Sequence, residues 1–279
     1  MDLVLQAAHL ASDEVDTLVA LTGAQGVLPL TRAANDACRL VDVESDAGVA
    51  QACAATNVDV ARIDARHPLP EVRLVAMDMD STLITIECID EIAAAQGIKA
   101  RVAAITARTM RGEIDFAESL RQRVALLAGA PASALADVYA RRLLLSPGAE
   151  RLLGALHAQG TQTLLLSGGF TYFTDRLRER LGFTASFANT LEIVDGHLSG
   201  RLIGPVFDAR AKADVVAQWA REARRDGGIV VTIGDGANDI PMLEAADVSV
   251  AWHAKPAPRA HATHAIDYCG LDAVLNLFD

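Results

Sequence analysis

The stretch Val72-Arg73-Leu74-Val75-Ala76-Met77-Asp78-Met79-Asp80-Ser81-Thr82-Leu83 decides how this chain is read. An apolar run stops abruptly at two carboxylates separated by one residue, followed by two hydroxyls. Such a run reads as a strand buried on both faces of a parallel sheet. In an open α/β sheet, reactive groups gather just past the carboxyl ends of the strands. Asp78 and Asp80 are therefore expected together at the mouth of the fold, where a cation or a phosphate would hold them.

Three further segments answer the first. The β-branched run at 229–233 opens into Gly234-Asp235-Gly236-Ala237-Asn238-Asp239. Two acidic strand ends facing one crevice make a hard-oxygen site, suited to Mg²⁺ rather than Zn²⁺. Between these strands, 161–166 runs into Ser167-Gly168-Gly169, where a hydroxyl and exposed glycine N–H groups can hold phosphate oxygens. Lys212 precedes the helical pattern Val215, Val216, Trp219 and supplies a point charge for phosphate.

Bulk composition narrows the function classes. A chain of 279 residues suits one large or two modest domains, and 51% hydrophobic content is ample for a packed core. A net charge of −11 argues against sequence-independent nucleic-acid binding and against an anionic membrane surface. Cys38, Cys53, Cys88 and Cys269 form no C-x-x-C pair, which fits free thiols in a reducing cytoplasm. No basic region precedes an apolar core at the start, so no secretory signal is read. The uncharged stretch 152–174 is interrupted by His157, Gln159 and glycines, and reads as helix, turn and strand rather than a membrane span.

Residues 1–66 look separate. Strand candidates at 3–5, 38–43 and 58–63 alternate with helix candidates at 13–21 and 47–55, the order of a small α+β domain of ferredoxin-like or ACT-like, regulatory type. The prolines of 67–71 read as a linker. From 72 to 279, strand and helix patterns alternate as in a Rossmann-like α/β sheet. The rhythm breaks at about 88–146, where helix formers at 91–96, 100–110, 115–127 and 132–144 follow one another. An inserted helical cap is expected there, directly over the first acidic strand end.

Residues 72–279 thereby resemble the haloacid dehalogenase superfamily of phosphohydrolases. Four motifs occur in its order: Asp78-Met79-Asp80-Ser81-Thr82, Ser167-Gly168-Gly169, Lys212, and Gly234 through Asp239. Within it the chain is similar to the phosphoserine phosphatase family, on Glu87, on 110–116 and on 119–124, with an extension like that of longer bacterial members. The resemblance implies Mg²⁺-dependent hydrolysis of L-phosphoserine, the last step of serine biosynthesis. Asp78 would be the nucleophile and Asp80 the general acid and base. Mg²⁺ would bind Asp78, Asp235 and the backbone carbonyl of Asp80, supported by Asp239. Ser167, Gly168, Lys212 and Asn238 would hold the phosphate. Glu87 would meet the ammonium and Arg123 the carboxylate, with Met110 and Phe116 walling the cavity.

Alternatives remain open on the same residues. A phosphotransferase from phosphoserine to homoserine, or a phosphatase for another small phosphomonoester, would share the motifs. A non-catalytic amino-acid sensor is the rival of a different class, and the intact Asp78 and Asp80 pair argues against it. A homodimer and an amino-acid effector at the N-terminal domain are further options.

Overall fold

The computed structural model describes residues 1–225 and 227–279. Its N-terminal part runs β1 (Asp2–Ala7), α1 (Ser12–Thr22), β2 (Gly26–Leu30), β3 (Asp36–Val41), α2 (Val49–Thr56) and β4 (Asp59–Ile63). The sheet order is β2-β3-β1-β4, and every pairing is antiparallel, as in ferredoxin-like domains. The strand β2 was not among the expected elements. It carries Pro29, which lacks an amide donor, and it lies at the sheet edge, where a proline is tolerated.

Next come β5 (Val72–Asp78), four helices, α3 (Cys88–Ala95), α4 (Lys99–Met110), α5 (Phe116–Ala125) and α6 (Ser133–Arg141), and then α7 (Ala149–Ala158). The chain continues with β6 (Gln162–Phe170), α8 (Thr171–Leu181), β7 (Ala185–Val194), β8 (His197–Ile203), α9 (Ala209–Arg225) and β9 (Ile229–Gly234). It ends with α10 (Ile240–Glu244), β10 (Val248–Trp252), α11 (Pro256–Arg259), β11 (His264–Ile266) and a 3-10 segment, Leu271–Leu277. The seven strands lie in the order β11-β10-β9-β5-β6-β7-β8.

The central strand explains the layering. Along β5, Val75 and Met77 enter one core, while Leu74 and Ala76 enter the other, against Val216 and Ala220 of α9. Period-two alternation with apolar residues on both faces is what a doubly covered parallel strand requires. The chain proceeds outward from β5 through β6 and β7, then returns to the other side for β9 and β10. The crevice at such a reversal lies outside the carboxyl ends of β5 and β9.

The large sheet is not parallel throughout. β7 and β8 form an antiparallel hairpin. Its turn, Asp195-Gly196, has φ of 50° and 76°, the positive values a tight hairpin turn needs. The hairpin supports the cap: Ala132 N donates to the Gly196 carbonyl at 2.8 Å, and Gly129 N to that of Leu198 at 2.8 Å.

Residues 67–71 are more firmly held than a linker. Leu69 is buried within a 3-10 turn, its N–H donates to the Asp279 carbonyl at 2.8 Å, and Asp279 N donates to that of His67 at 2.9 Å. The small sheet packs on the C-terminal segment, so that Val4, Ala61 and Ile63 share one continuous core with Val72, Val274 and Leu277. Arg39 pairs with Asp279, Ala34 N donates to Asp272 at 2.7 Å, and Asn276 donates to Gln6 at 3.0 Å.

Candidate active site

The end of β5 delivers Asp78 into the crevice, and a sharp turn follows. Ser81 takes φ of 58°, unusual for a residue with a side chain, and its hydroxyl donates to Glu87 Oε1 at 2.9 Å. That turn brings Asp80 back under the start of α3, where Cys88 N donates to Asp80 Oδ1 at 2.9 Å. Thr82 Oγ1 donates to Asp235 Oδ1 at 3.0 Å, joining the first acidic strand end to the second.

Lys212 lies fully buried behind these acids. Its Nζ donates to Asp78 Oδ1 at 2.6 Å and to Asp239 Oδ1 at 2.7 Å. Asp239 in turn accepts the backbone N–H groups of Asp235 at 3.2 Å and Gly236 at 3.0 Å, pinning the glycine turn after β9. Gly234 permits this, because a β-carbon there would stand 2.6 Å from that of Asp239. Ser167 Oγ donates to Asp80 Oδ2 at 3.2 Å and accepts Gly169 N at 2.8 Å.

Burial and mutual repulsion set the protonation of the acids. Burial first, then Asp239, raises the Asp78 carboxyl well above the usual range, while Lys212 opposes that rise. Asp235 is pushed up to about 6 by burial and then by Asp239. Asp80 is pushed up to about 7, by burial and then by Glu87. Burial disfavours the Lys212 ammonium, yet Asp239 and Asp78 outweigh it, and its pKa rises.

Acceptor oxygens of Asp78, Asp235 and Asp239 lie within 4.8 Å of one another. Three buried carboxylates held together, with only hard oxygen donors, fit a divalent cation of the Mg²⁺ kind. Burial makes Asp78 and Asp235 resist ionisation, which supports that fit, since a cation would relieve it.

The cap completes the cleft. Asp115 caps α5 by accepting Glu118 N at 2.7 Å, which sets Phe116 as the first helical residue. Phe116 and Arg123, one face of α5, line the cleft with Asp78, Asp80, Glu87, Gly168, Asp235 and Asn238. Burial pulls the Arg123 pKa down, while Glu87, Asp90 and Asp80 pull it up. Ser167, Lys212 and Asp239 lie directly behind this wall.

One expected residue is elsewhere. Met110, expected to wall the cavity with Phe116, ends α4 and is 68% exposed, away from the cleft lining. No residue of α4 lines the cleft, and the chain turns at Gly112, with φ of 72°, before α5 brings Phe116 to it, so proximity in sequence to Phe116 does not become proximity at the site. Lys255, Ile89 and Leu120 also line the cleft, beyond the residues expected from the sequence. Lys255 had a readable signal: it follows the apolar strand Val248–Trp252, and residues just past parallel strands face the crevice. Ile89 and Leu120 had none beyond ordinary helix periodicity.

Acids at the carboxyl ends of two neighbouring parallel strands, bridged by a buried lysine, make a hard-oxygen cluster on a doubly wound sheet, an arrangement suited to metal-assisted phosphoryl transfer. The family model for haloacid dehalogenase-like hydrolases matches residues 75–244. A phosphoserine phosphatase of Polaromonas sp. is 48% identical over 225 residues, covering 79% of this chain and 94% of that protein. A crystal structure of a probable phosphoserine phosphatase from Vibrio cholerae, in unliganded form, superposes with a TM-score of 0.84 at 38% identity, over 99% of this chain and 85% of that one. A phospho-aspartyl intermediate analogue of phosphoserine phosphatase superposes with a TM-score of 0.68 at 34% identity, over 75% of this chain and 99% of that one. The chain belongs to the haloacid dehalogenase-like hydrolases. Among the described residues no helix is long and apolar enough to cross a membrane.

Proposed function

We propose that this protein hydrolyses L-phosphoserine to L-serine and phosphate, completing serine biosynthesis in the cytoplasm. The observation that carries the reading is a cleft in which Asp78 and Asp80 face Glu87 and Arg123. The first pair suits a phosphate monoester. The second pair offers an anion to an ammonium and a forked cation to a carboxylate, the two other charges of phosphoserine. The similarity to phosphoserine phosphatases supports it.

Lys212 holds Asp78 Oδ1, which leaves Oδ2 as the attacking atom. Asp78 Oδ2 bonds to phosphorus as the bond from phosphorus to the serine oxygen breaks. Asp80, protonated below about pH 7, gives its proton to the departing alkoxide. Water then attacks phosphorus, Asp80 takes the water's proton, and the bond to Asp78 breaks to release phosphate. Ser167, the Gly168 N–H, Lys212 and Asn238 hold phosphate oxygens in this scheme. Mg²⁺, bound by Asp78, Asp235 and the Asp80 backbone carbonyl, would supply charge neutralisation of the phosphate.

A homodimer and an amino-acid effector belong to the same reading. The effector would take the groove between α1 and β2–β3, lined by Val15, Val27, Pro29 and Ala37. The deciding experiment is phosphate release from L-phosphoserine with Mg²⁺ or with a chelator, for the wild type and Asp78→Asn, beside a panel of phosphomonoesters and homoserine as acceptor. Selective, metal-dependent release that Asp78→Asn abolishes is expected. Phosphohomoserine as product would replace hydrolysis by transfer.

A further inference from the structure

We infer that Lys255 is a phosphate-capturing residue of this active site, and that Asp59 of the N-terminal sheet is the remote residue that positions it. The inference rests on the phosphomonoester reaction proposed above.

The cleft is poor in available positive charge. Asp78, Asp80, Glu87 and Asp235 line it, and Arg123 and Lys255 are the cations of the lining. Lys212, which holds a phosphate oxygen in the proposed scheme, is fully buried and already shared between Asp78 and Asp239, so it is no rim cation for an approaching substrate. Arg123 stands on the cap, near Glu87. Lys255 stands on the opposite side, beside the metal-binding acids, and its charge reaches Asp235 through space. A phosphate dianion approaching an acidic cleft in a chain of net charge −11 needs an exposed cation at the rim. Lys255 is exposed and adjoins that rim.

Its backbone is anchored from two directions. Lys255 N donates to the Asp235 carbonyl at 3.1 Å, which ties the residue to the end of β9. The turn before it is fixed through His253, held at φ of 46°. His253 N donates to the Ile266 carbonyl at 2.7 Å, and its Nε2 donates to the Cys269 carbonyl at 3.0 Å. Trp252 Nε1 reaches the same carbonyl at 3.2 Å.

The segment that bears this carbonyl is gripped from the other domain. The buried Asp59 carboxylate accepts the backbone N–H groups of Asp267 at 2.6 Å, Tyr268 at 3.1 Å and Cys269 at 2.9 Å. Charge-assisted bonds to successive amides are strong and directional. A continuous relay thus runs from β4 through 267–269 and His253 to Lys255 and Asp235. The small domain shapes the active site through it, with no effector required.

The test is a double-mutant cycle of Lys255→Ala and Asp59→Asn, with Lys255→Arg, on phosphoserine and on p-nitrophenyl phosphate. Lys255→Ala is expected to lower kcat/KM on the order of tenfold, mainly through KM, and Lys255→Arg to recover most of it. The fall of kcat/KM with rising salt is expected to be shallower in Lys255→Ala than in the wild type. Asp59→Asn is expected to lower kcat/KM in the wild-type background and to add little to Lys255→Ala. If Asp59→Asn does not fold, His253→Ala breaks the relay at its midpoint and takes its place. Wild-type kcat/KM and salt dependence in Lys255→Ala would overturn the inference, as would an equal effect of the relay variant in both backgrounds. Lys255 dependence seen with p-nitrophenyl phosphate supports it even where phosphoserine is not turned over.

Discussion

The ring of Phe116 rests on the backbone of Gly168: a β-carbon at that glycine would stand 2.8 Å from Phe116 Cζ. The cap and the Ser167-Gly168-Gly169 turn at the end of β6 are therefore in contact, and the glycine is what lets them close. Gly168→Ala is expected to hold the cap off the turn and lower kcat/KM on the order of tenfold or more, with little change in melting temperature. Phe116→Ala in the Gly168→Ala background removes the clash and recovers part of the loss, a coupling that a kinetic double-mutant cycle reads directly.

Asp80 has a predicted dual role with a defined pH dependence. Burial and Glu87 push its carboxyl up to about 7, so it is an acid below that pH and a base above it. Expulsion of a serine alkoxide needs the acid form, so kcat/KM for phosphoserine is expected to fall as pH rises through about 7. Asp80→Asn is expected to lose roughly 10²- to 10⁴-fold on phosphoserine. With p-nitrophenyl phosphate, whose leaving group needs no proton, the same variant is expected to give a burst equal to enzyme concentration and then slow turnover. A missing burst would remove Asp80 from the base role in the second step.

Gly148 is a stability determinant remote from the chemistry. It sits at φ of 80°, and a β-carbon there would come within 2.1 Å of Asp272 Oδ1 and 2.6 Å of Asp272 N. Asp272 also accepts Ala34 N from the small domain. Gly148→Ala is expected to cost about 1–3 kcal/mol from backbone strain and overpacking. At roughly 2–4 °C per kcal/mol for a chain near this size, the shift is readable by calorimetry. An unchanged melting temperature would show that the segment around Asp272 yields freely.

Removal of residues 1–66 tests whether the small domain is separable. Val4, Ala61 and Ile63 belong to the main core, and Asp59, Arg39 and Ala34 bond to the C-terminal part. The truncated chain is expected to melt more than about 10 °C lower, or to aggregate, because apolar surface around the C-terminal segment is laid bare. A truncated enzyme with native stability would mean the domain is only appended.

Cys38 and Cys53 are buried, and burial pushes both thiols up to about 11. Their thiolate fraction at pH 8 is small, so reaction with a disulfide reagent is expected to be slow in the native protein and fast after unfolding. Fast native labelling would show that the small domain opens readily.

The local signals were strong where the chain reports its own periodicity. The apolar run into Asp78 and Asp80 specified a doubly buried strand and its acidic end, because alternating side chains along β5 face two cores. The glycine turn bearing Asp235 and the four helices of the cap were legible for the same reason. The strand β2 was not, because Pro29 violates the ordinary strand pattern and is allowed only by an edge position that no local window reveals. The hairpin β7–β8 departs from the parallel pattern expected of 72–279, although Asp195-Gly196 marks it.

By itself, then, the sequence determined the α/β class, the run of helices between β5 and α7, and the acids, hydroxyl and lysine that the fold brings to one crevice, since each depends on residues close together in the chain. Only the tertiary structure decided which cap residues reach the cleft. Phe116 and Arg123 do, and Met110 does not, because the direction of a helix relative to a distant turn is set by packing rather than by periodicity. The same holds for Asp59 and the amides of 267–269, some two hundred residues apart in sequence. Their contact arises from the docking of two sheets through the C-terminal segment, a long-range event without a local signature.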